Sequence, residues 1–155
     1  ILQVINSAIA PKIASMYKQN EKVKLQLMIS RVIIGTLVIG FIFFILIVFI
    51  GKPLLSVWGN YFKNAYVVLI ILSFGQLINL GTSCVGTILM MTGFEKILAK
   101  VSLMTMFLNL FLLYFLTKEF GIIGAAIAVT LTVIIENSLK YYYTVKYTEI
   151  KLFNF

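Results

Sequence analysis

The sequence predicts an all-α, polytopic transmembrane helix bundle of about four complete membrane spans, preceded by the end of another. Three observations carry this. Apolar residues make up 61% of the 155-residue chain and charged residues 12%, against about 45–50% and about 25% in a soluble domain. The apolar excess lies in continuous runs of bilayer length rather than in short alternating patterns. The thirteen Lys and Arg, against five acids, fall between these runs rather than on one polar module.

That last point decides how the net charge of +8 is read. Nucleic acid is a conceivable partner for so basic a chain, but cations placed between apolar runs follow membrane topology. The expected surroundings are membrane lipid, with no nucleic acid. The chain has no histidine, and Cys84 is its one cysteine. It therefore has no intrachain disulfide and no thiolate–imidazole metal set; neither a metal nor a cofactor is expected. Cys84 lies inside an apolar run and reads as a small buried apolar residue.

Taken in order, ILQVINSAIAPKIASMY reads as the end of a helix already under way, so the chain is expected to be the C-terminal part of a longer protein. Residues 12–31 hold Lys12, Lys18, Lys22, Lys24 and Arg31 against Glu21 alone. With Val23, Leu25, Leu27 and Met28, they suggest a helix lying at the interface. Residues 32–50 carry no charge and would rise about 28 Å, close to the hydrocarbon thickness. Gly51, Lys52 and Pro53 should end this span. A loop follows in which Trp58 and Tyr61 suit the headgroup level.

Residues 65–91 read as the second span, with Gln76, Asn79, Ser83 and Gly86 on one face at steps of three, four and three. After a turn at 92–96, residues 97–117 form the third span, with Ser102, Thr105 and Asn109 sharing a face. Residues 122–145 form the fourth, with Thr132, Glu136 and Lys140 one turn apart. The basic-aromatic stretch KYTEIKLFNF closes the chain. Between the last two spans the hairpin at 118–121 leads into packed small residues. Gly121 and Ala125 lie one turn apart, as do Gly124 and Ala128, a spacing that lets helix backbones approach closely in lipid.

Counting the loops puts Lys12, Lys18, Lys22, Lys24, Arg31, Lys96, Lys100, Lys140, Lys146 and Lys151 on one side, and Lys52, Lys63 and Lys118 on the other. Ten against three predicts a multi-pass cell-membrane protein with a cytoplasmic C-terminus and the 120–130 corner facing outward.

No catalytic constellation is visible. No base stands ready for Ser83, the five acids are scattered, and the glycines at 75, 81 and 86 do not match a phosphate-cradling loop. An enzyme is not expected. Glu136, the one acid inside a span, falls about 22 Å along its helix from Gly121. It can pair with Lys140 in the favourable order, or face a cavity and bind protons or cations. Gln76, Asn79 and Asn109 can hold helices together or line a polar path. Arg31 and Lys100 can serve as topology signals that also contact anionic lipid, or recognise a lipid phosphate or pyrophosphate, where Arg offers a two-pronged fork.

At this point four stretches resemble one family in collinear order: IAPKIASMYKQNEKVKL at 9–25, IGKPLLSVWGNYFKNAYVVLIIL at 50–72, MTGFEK at 91–96 and LNLFLLYFLTKEFGIIGAAIAVT at 108–130. Together they resemble the Wzx-like polysaccharide flippases of the multidrug/oligosaccharidyl-lipid/polysaccharide exporter superfamily. The resemblance implies a MATE-like transporter of two six-helix lobes, with residues 1–155 forming the C-terminal part of the second lobe and the N-terminal lobe as its partner. It also implies the substrate, an undecaprenyl-pyrophosphate-linked oligosaccharide moved from the cytoplasmic to the outer leaflet in surface polysaccharide biosynthesis. The family has no short catalytic motif to carry over. The alternatives are a cation-coupled multidrug exporter of the same superfamily and a non-transporting membrane scaffold subunit.

Overall fold

The computed structural model describes residues 2–57, 59, 65–150 and 152, with Leu2 described by its backbone alone. Trp58, Tyr61, Lys63 and Lys151 lie outside the described residues. The described chain is helical: α1 (Leu2–Lys18), α2 (Lys22–Ser56), α3 (Tyr66–Gly81), α4 (Val85–Met91) and α5 (Glu95–Thr148). Three stretches are long and apolar enough to cross a membrane: Lys22–Ser56, Tyr66–Met91 and Glu95–Thr148. The last is 54 residues long and would extend about 80 Å if straight. It is instead broken at Gly121 (φ 58°, ψ −137°) into two arms of similar length. These arms run antiparallel. Asn109 meets Thr132, Ser102 meets Glu136 and Phe94 stacks on Tyr147, each pair joining the two arms across the corner.

The corner works through backbone geometry. A positive φ with this ψ is open to glycine and strained for any side chain. Gly121 itself is exposed, and a Cβ there would meet nothing within 4 Å, so it turns the chain and does not pack. Gly124 does the packing. A Cβ on it would lie 1.8 Å from the carbonyl oxygen of Leu116, so backbone rests on backbone across the turn. Ala128 is fully buried and Ala125 half-buried behind it.

Three expectations about the first half change. Residues 22–31 are not a separate interfacial helix but the opening turns of α2. Leu25, Ile29, Ile33, Thr36 and Gly40 are all buried, and steps of four, four, three and four keep them on one face, so continuous packing carries the helix through Arg31. Pro53 does not end α2, which runs on to Ser56. The proline gives up one ladder bond, to the Phe49 carbonyl four residues back, and the Ser56 hydroxyl donates to the Pro53 carbonyl at 2.6 Å in the turn that follows. Pro11 likewise lies inside α1.

The expected span 65–91 is divided at residues 82–84. There the amides of Thr82, Ser83 and Val85 reach back only three residues, to the carbonyls of Asn79, Leu80 and Thr82. The Thr82 hydroxyl also donates to the Ile78 carbonyl at 3.1 Å. Hydroxyl side chains that bond locally compete with the helix ladder. The Asn6 amide of α1 donates to the carbonyl of Ser83 at 3.0 Å, giving an acceptor at the break a partner from another helix.

The helices pack in a definite order. Gly40 of α2 lies against Leu77 and Leu80 of α3, and Gly51 lies against Tyr66 and Leu69, so the two run antiparallel. The Thr130 hydroxyl donates to the Ile71 carbonyl at 3.1 Å and the Asn137 amide to Asn79 at 3.2 Å, so α3 runs parallel to the second arm of α5. Pro53 and Gly121 therefore share one end of the bundle, and Lys22, Glu95 and Glu149 share the other. The core at that second end joins Ile13, Leu25, Ile29, Ile33, Cys84, Val85 and Ile88 with Ile150 and Leu152. The closing stretch is thus partly a core element. Glu149 adopts a left-handed conformation (φ 59°) that turns the chain off α5, and Ser30 donates to the Leu152 carbonyl at 2.7 Å.

Replacing Gly124 by Ala or Leu should destabilise the protein by about 3 kcal/mol or more, since a backbone carbonyl cannot step aside. Gly121→Ala should cost about 1–3 kcal/mol through strain alone. Thermal unfolding of the detergent-purified full-length protein measures both, and a wild-type melting temperature for Gly124→Ala would contradict the packing at the corner. A second test concerns the tail. The hydrogen bond from Lys22 and its charge, 2.6 Å away, hold the Glu149 carboxyl below the usual carboxylate range. Its contribution is present above the ordinary carboxylate pKa and is lost as pH falls through the lowered value. Both groups are well exposed, so the effect is small. Limited proteolysis near residue 150 should quicken on acidification in the wild type and be pH-independent in Glu149→Gln.

Candidate functional site

A residue with a long polar side chain inside a span must find a partner or an aqueous surface, and the sequence-predicted site residues divide along that line. Asn79 of α3 donates to the side-chain oxygen of Gln76 at 3.4 Å and accepts from Asn137 at 3.2 Å. Asn137 also donates to the Val133 carbonyl at 3.0 Å. The result is a polar ladder from Gln76 through Asn79 to Asn137, binding α3 to the second arm of α5. Asn137 is buried and was not among the residues expected at the site. It follows Glu136 directly, and the one-turn spacing from Thr132 to Lys140 drew attention to the neighbouring face.

The second group lies inside the α5 hairpin. Glu136 is paired with Lys140 at 2.6 Å and accepts from the Ser102 hydroxyl at 3.0 Å. Both charged side chains are about a quarter exposed or less, so the pair is partly desolvated and its charges offset each other. Asn109 accepts from the Thr132 hydroxyl at 3.3 Å. Neither Asn109 nor Glu136 meets the Gln76 ladder in these contacts, so the structure forms two polar seams rather than one cluster.

Gln76 differs from the others. It is exposed and stands on the lip of a groove of about 360 Å³ between α2 and α3. Ile39, Phe43, Phe44, Ile47, Leu72 and Leu77 line the groove, with Thr36 and Ser73 adding hydroxyls. The Thr36 hydroxyl is occupied by the carbonyls of Val32 and Ile33, and that of Ser73 by the Leu69 carbonyl at 2.6 Å. Gln76 is thus the polar side chain that joins an apolar groove to the polar ladder. Arg31 and Lys100 are both exposed. Arg31 lies on α2, about 12 Å of helix from Ile39 toward the basic end. Lys100 lines a separate groove between the arms of α5.

Sequence comparison adds two relatives. The chain is 30% identical over 143 residues to "Capsular polysaccharide biosynthesis protein CapF" of Staphylococcus aureus, covering 92% of this chain and 36% of that protein. It is 28% identical over 150 residues to "Probable low-salt glycan biosynthesis flippase Agl15" of Haloferax volcanii, covering 96% of this chain and 32% of that protein. The chain thus spans about a third of the length of these curated relatives. No family model matches it, and no solved structure matches it.

If Asn79 and Asn137 hold α3 to α5, alanine at both should cost less than the sum of the single changes. The expected coupling is about 0.6 kcal/mol, the usual strength of a side-chain hydrogen bond between membrane helices. Unfolding of the four proteins of this cycle in detergent measures it, and additive losses would show that the ladder does not bind the helices.

Proposed function

We propose that this chain, related over almost its whole length to polysaccharide flippase-like proteins, forms part of the wall along which a lipid-linked glycan crosses the cell membrane for polysaccharide biosynthesis. The names of the two relatives support the reading, one a capsular polysaccharide biosynthesis protein and the other a glycan biosynthesis flippase. The observation in the fold that carries it is the position of Gln76, which borders an apolar groove on one side and a polar ladder on the other. A substrate with a prenyl chain and a sugar-phosphate head has the same two-sided chemistry. The chain can stay against apolar side chains while hydroxyl and phosphate groups exchange water for protein donors.

In this reading residues 1–155 are the C-terminal part of a second lobe, and a first lobe elsewhere in the full-length protein faces it. The ten-cation end is cytoplasmic, as the loop charges direct, and the Gly121 corner faces out. Substrate enters beside Arg31, whose planar fork suits a phosphate, and its head passes Gln76 as the two lobes rock about the path. Asn79, Asn109 and Glu136 act mainly by holding helices together, since each is engaged across a seam, and Lys140 balances the Glu136 charge from the next turn of the same arm. The engagement of Glu136 by Lys140 and Ser102 also leaves it poorly placed as the coupling-cation site of a drug exporter.

The test is complementation by the full-length protein in a host whose own flippase is deleted. Gln76→Leu and Arg31→Gln should each lower surface polysaccharide, and together by about tenfold, roughly the loss of one charge-assisted hydrogen bond. Their abundance in the membrane should be normal. Unchanged export by the double variant would remove Gln76 and Arg31 from the path. Drug resistance without restored polysaccharide would replace the substrate class.

A further inference from the structure

The two arms of α5 leave a groove of about 170 Å³ at the basic end, distinct from the α2–α3 groove. Its walls are Val101, Met104 and Leu139 on the apolar side and Tyr143 and Tyr147 on the other, with Lys100 beside them. The tyrosine wall is braced. Tyr147 stacks on Phe94 at 5.2 Å and on Tyr143 at 6.1 Å between ring centres. The Lys146 ammonium lies 5.5 Å from the Tyr147 ring and 5.9 Å from that of Tyr142, within cation–π range.

Its charge is not balanced from within. The ion pairs found among the described residues use Lys22, Lys24 and Lys140, not Lys100. The acid nearest in sequence on the facing arm, Glu136, is taken by Lys140 and Ser102. Glu95 is exposed in the first turn of α5 and is not among the residues that line the groove. One exposed ammonium therefore faces a site whose remaining lining is apolar or phenolic.

We propose that this groove binds an anionic phospholipid of the surrounding bilayer. Lys100 meets the headgroup phosphate, the phenol hydroxyls of Tyr143 and Tyr147 are available as donors, and the first methylenes lie on Met104 and Leu139. A free hydrated phosphate fits the chemistry less well, because it would have to shed water against Val101, Met104 and Leu139 with nothing to cover them. A lipid covers that surface with its own chain. The location agrees, since basic residues at the cytoplasmic end of a span are drawn to anionic headgroups and amphipathic rings settle at the same level. The inference goes beyond the transport reading and shares with it only the cytoplasmic placement of the basic end, because the groove is bounded by the two arms of α5 alone.

Native mass spectrometry of the purified full-length protein tests it, with phosphatidylglycerol and phosphatidylcholine as competing lipids. The wild type should retain phosphatidylglycerol in preference to phosphatidylcholine. Lys100→Gln should lower that retention about fivefold, the effect of one basic residue at an anionic surface, and Lys100→Arg should keep it. Lys12→Gln removes the same charge from α1, away from the groove, and should change retention little. Equal losses for Lys12→Gln and Lys100→Gln would mean diffuse attraction and overturn the site. Equal retention of the two lipids would overturn it as well. Displacement of the lipid by millimolar inorganic phosphate would assign the groove to a free anion instead. Should Lys100→Gln not fold, Lys100→Met, which keeps the length of the side chain without its charge, takes its place in the comparison with Lys12→Gln.

Discussion

The contact of Gly124 with the Leu116 carbonyl is the constraint from which much of the bundle follows. Where two helices meet backbone to backbone, neither can slide by one residue without a clash. With Gly121 reversing the chain three residues earlier, the register of the two arms of α5 is set over their whole length. That register brings Ser102 to Glu136, Asn109 to Thr132 and Phe94 to Tyr147. The second arm in turn presents Thr130 and Asn137 to α3. A single side chain at position 124 would disturb the corner and both polar seams together. In lipid, where apolar contact between helices gains little over apolar contact with acyl chains, close approach and hydrogen bonding carry much of the association, and the small residues make both possible.

The break between α3 and α4 follows the same logic at another depth. A helix interrupted inside a bilayer frees backbone acceptors that water cannot satisfy. Here Asn6 reaches from α1 to Ser83, and the core beneath, from Ile13 through Cys84 to Leu152, closes around the short helix α4. The C-terminal residues complete that core and fasten the basic end, with Lys22 and Ser30 of α2 tying down Glu149 and Leu152. One end of the bundle is a packed plug and the other a tight hairpin corner. Between them lies the apolar groove of α2 and α3, with Gln76 exposed at its edge.

Much of the architecture was legible in the chain. The apolar runs, the lysines between them and the glycines of the 120–130 corner indicate an all-α membrane bundle with a hairpin there, because bilayer thickness and backbone sterics act locally. The helix limits were less legible. Pro53 looks like a stop, yet it lies three residues from the end of α2 and the helix runs on to Ser56. The uncharged run at 65–91 looks continuous, yet Thr82 and Ser83 carry hydroxyls that compete for the backbone, a weak signal that became decisive only with Asn6 as partner. Among the site residues, periodicity correctly put Gln76 with Asn79, and Glu136 with Lys140. Asn137 was missed because one asparagine next to a charged pair has no periodic signature of its own.

What the sequence alone determined is therefore the set of properties that depend on neighbours along the chain: membrane residence, helical class, the turn at Gly121 and the pairing of residues one turn apart. What only the tertiary structure decided is which polar side chains are consumed by helix contacts and which stay open. Asn79, Asn109 and Glu136 are engaged across helices by Asn137, Thr132 and Ser102, while among the described residues Gln76 meets only Asn79 on its own helix and, like Arg31 and Lys100, stays exposed. The physical reason is that a hydrogen bond forms with whatever donor the fold brings within about 3 Å. For residues 23 to 58 positions apart that distance is set by the corner and by helix packing, not by the spacing of letters in the chain.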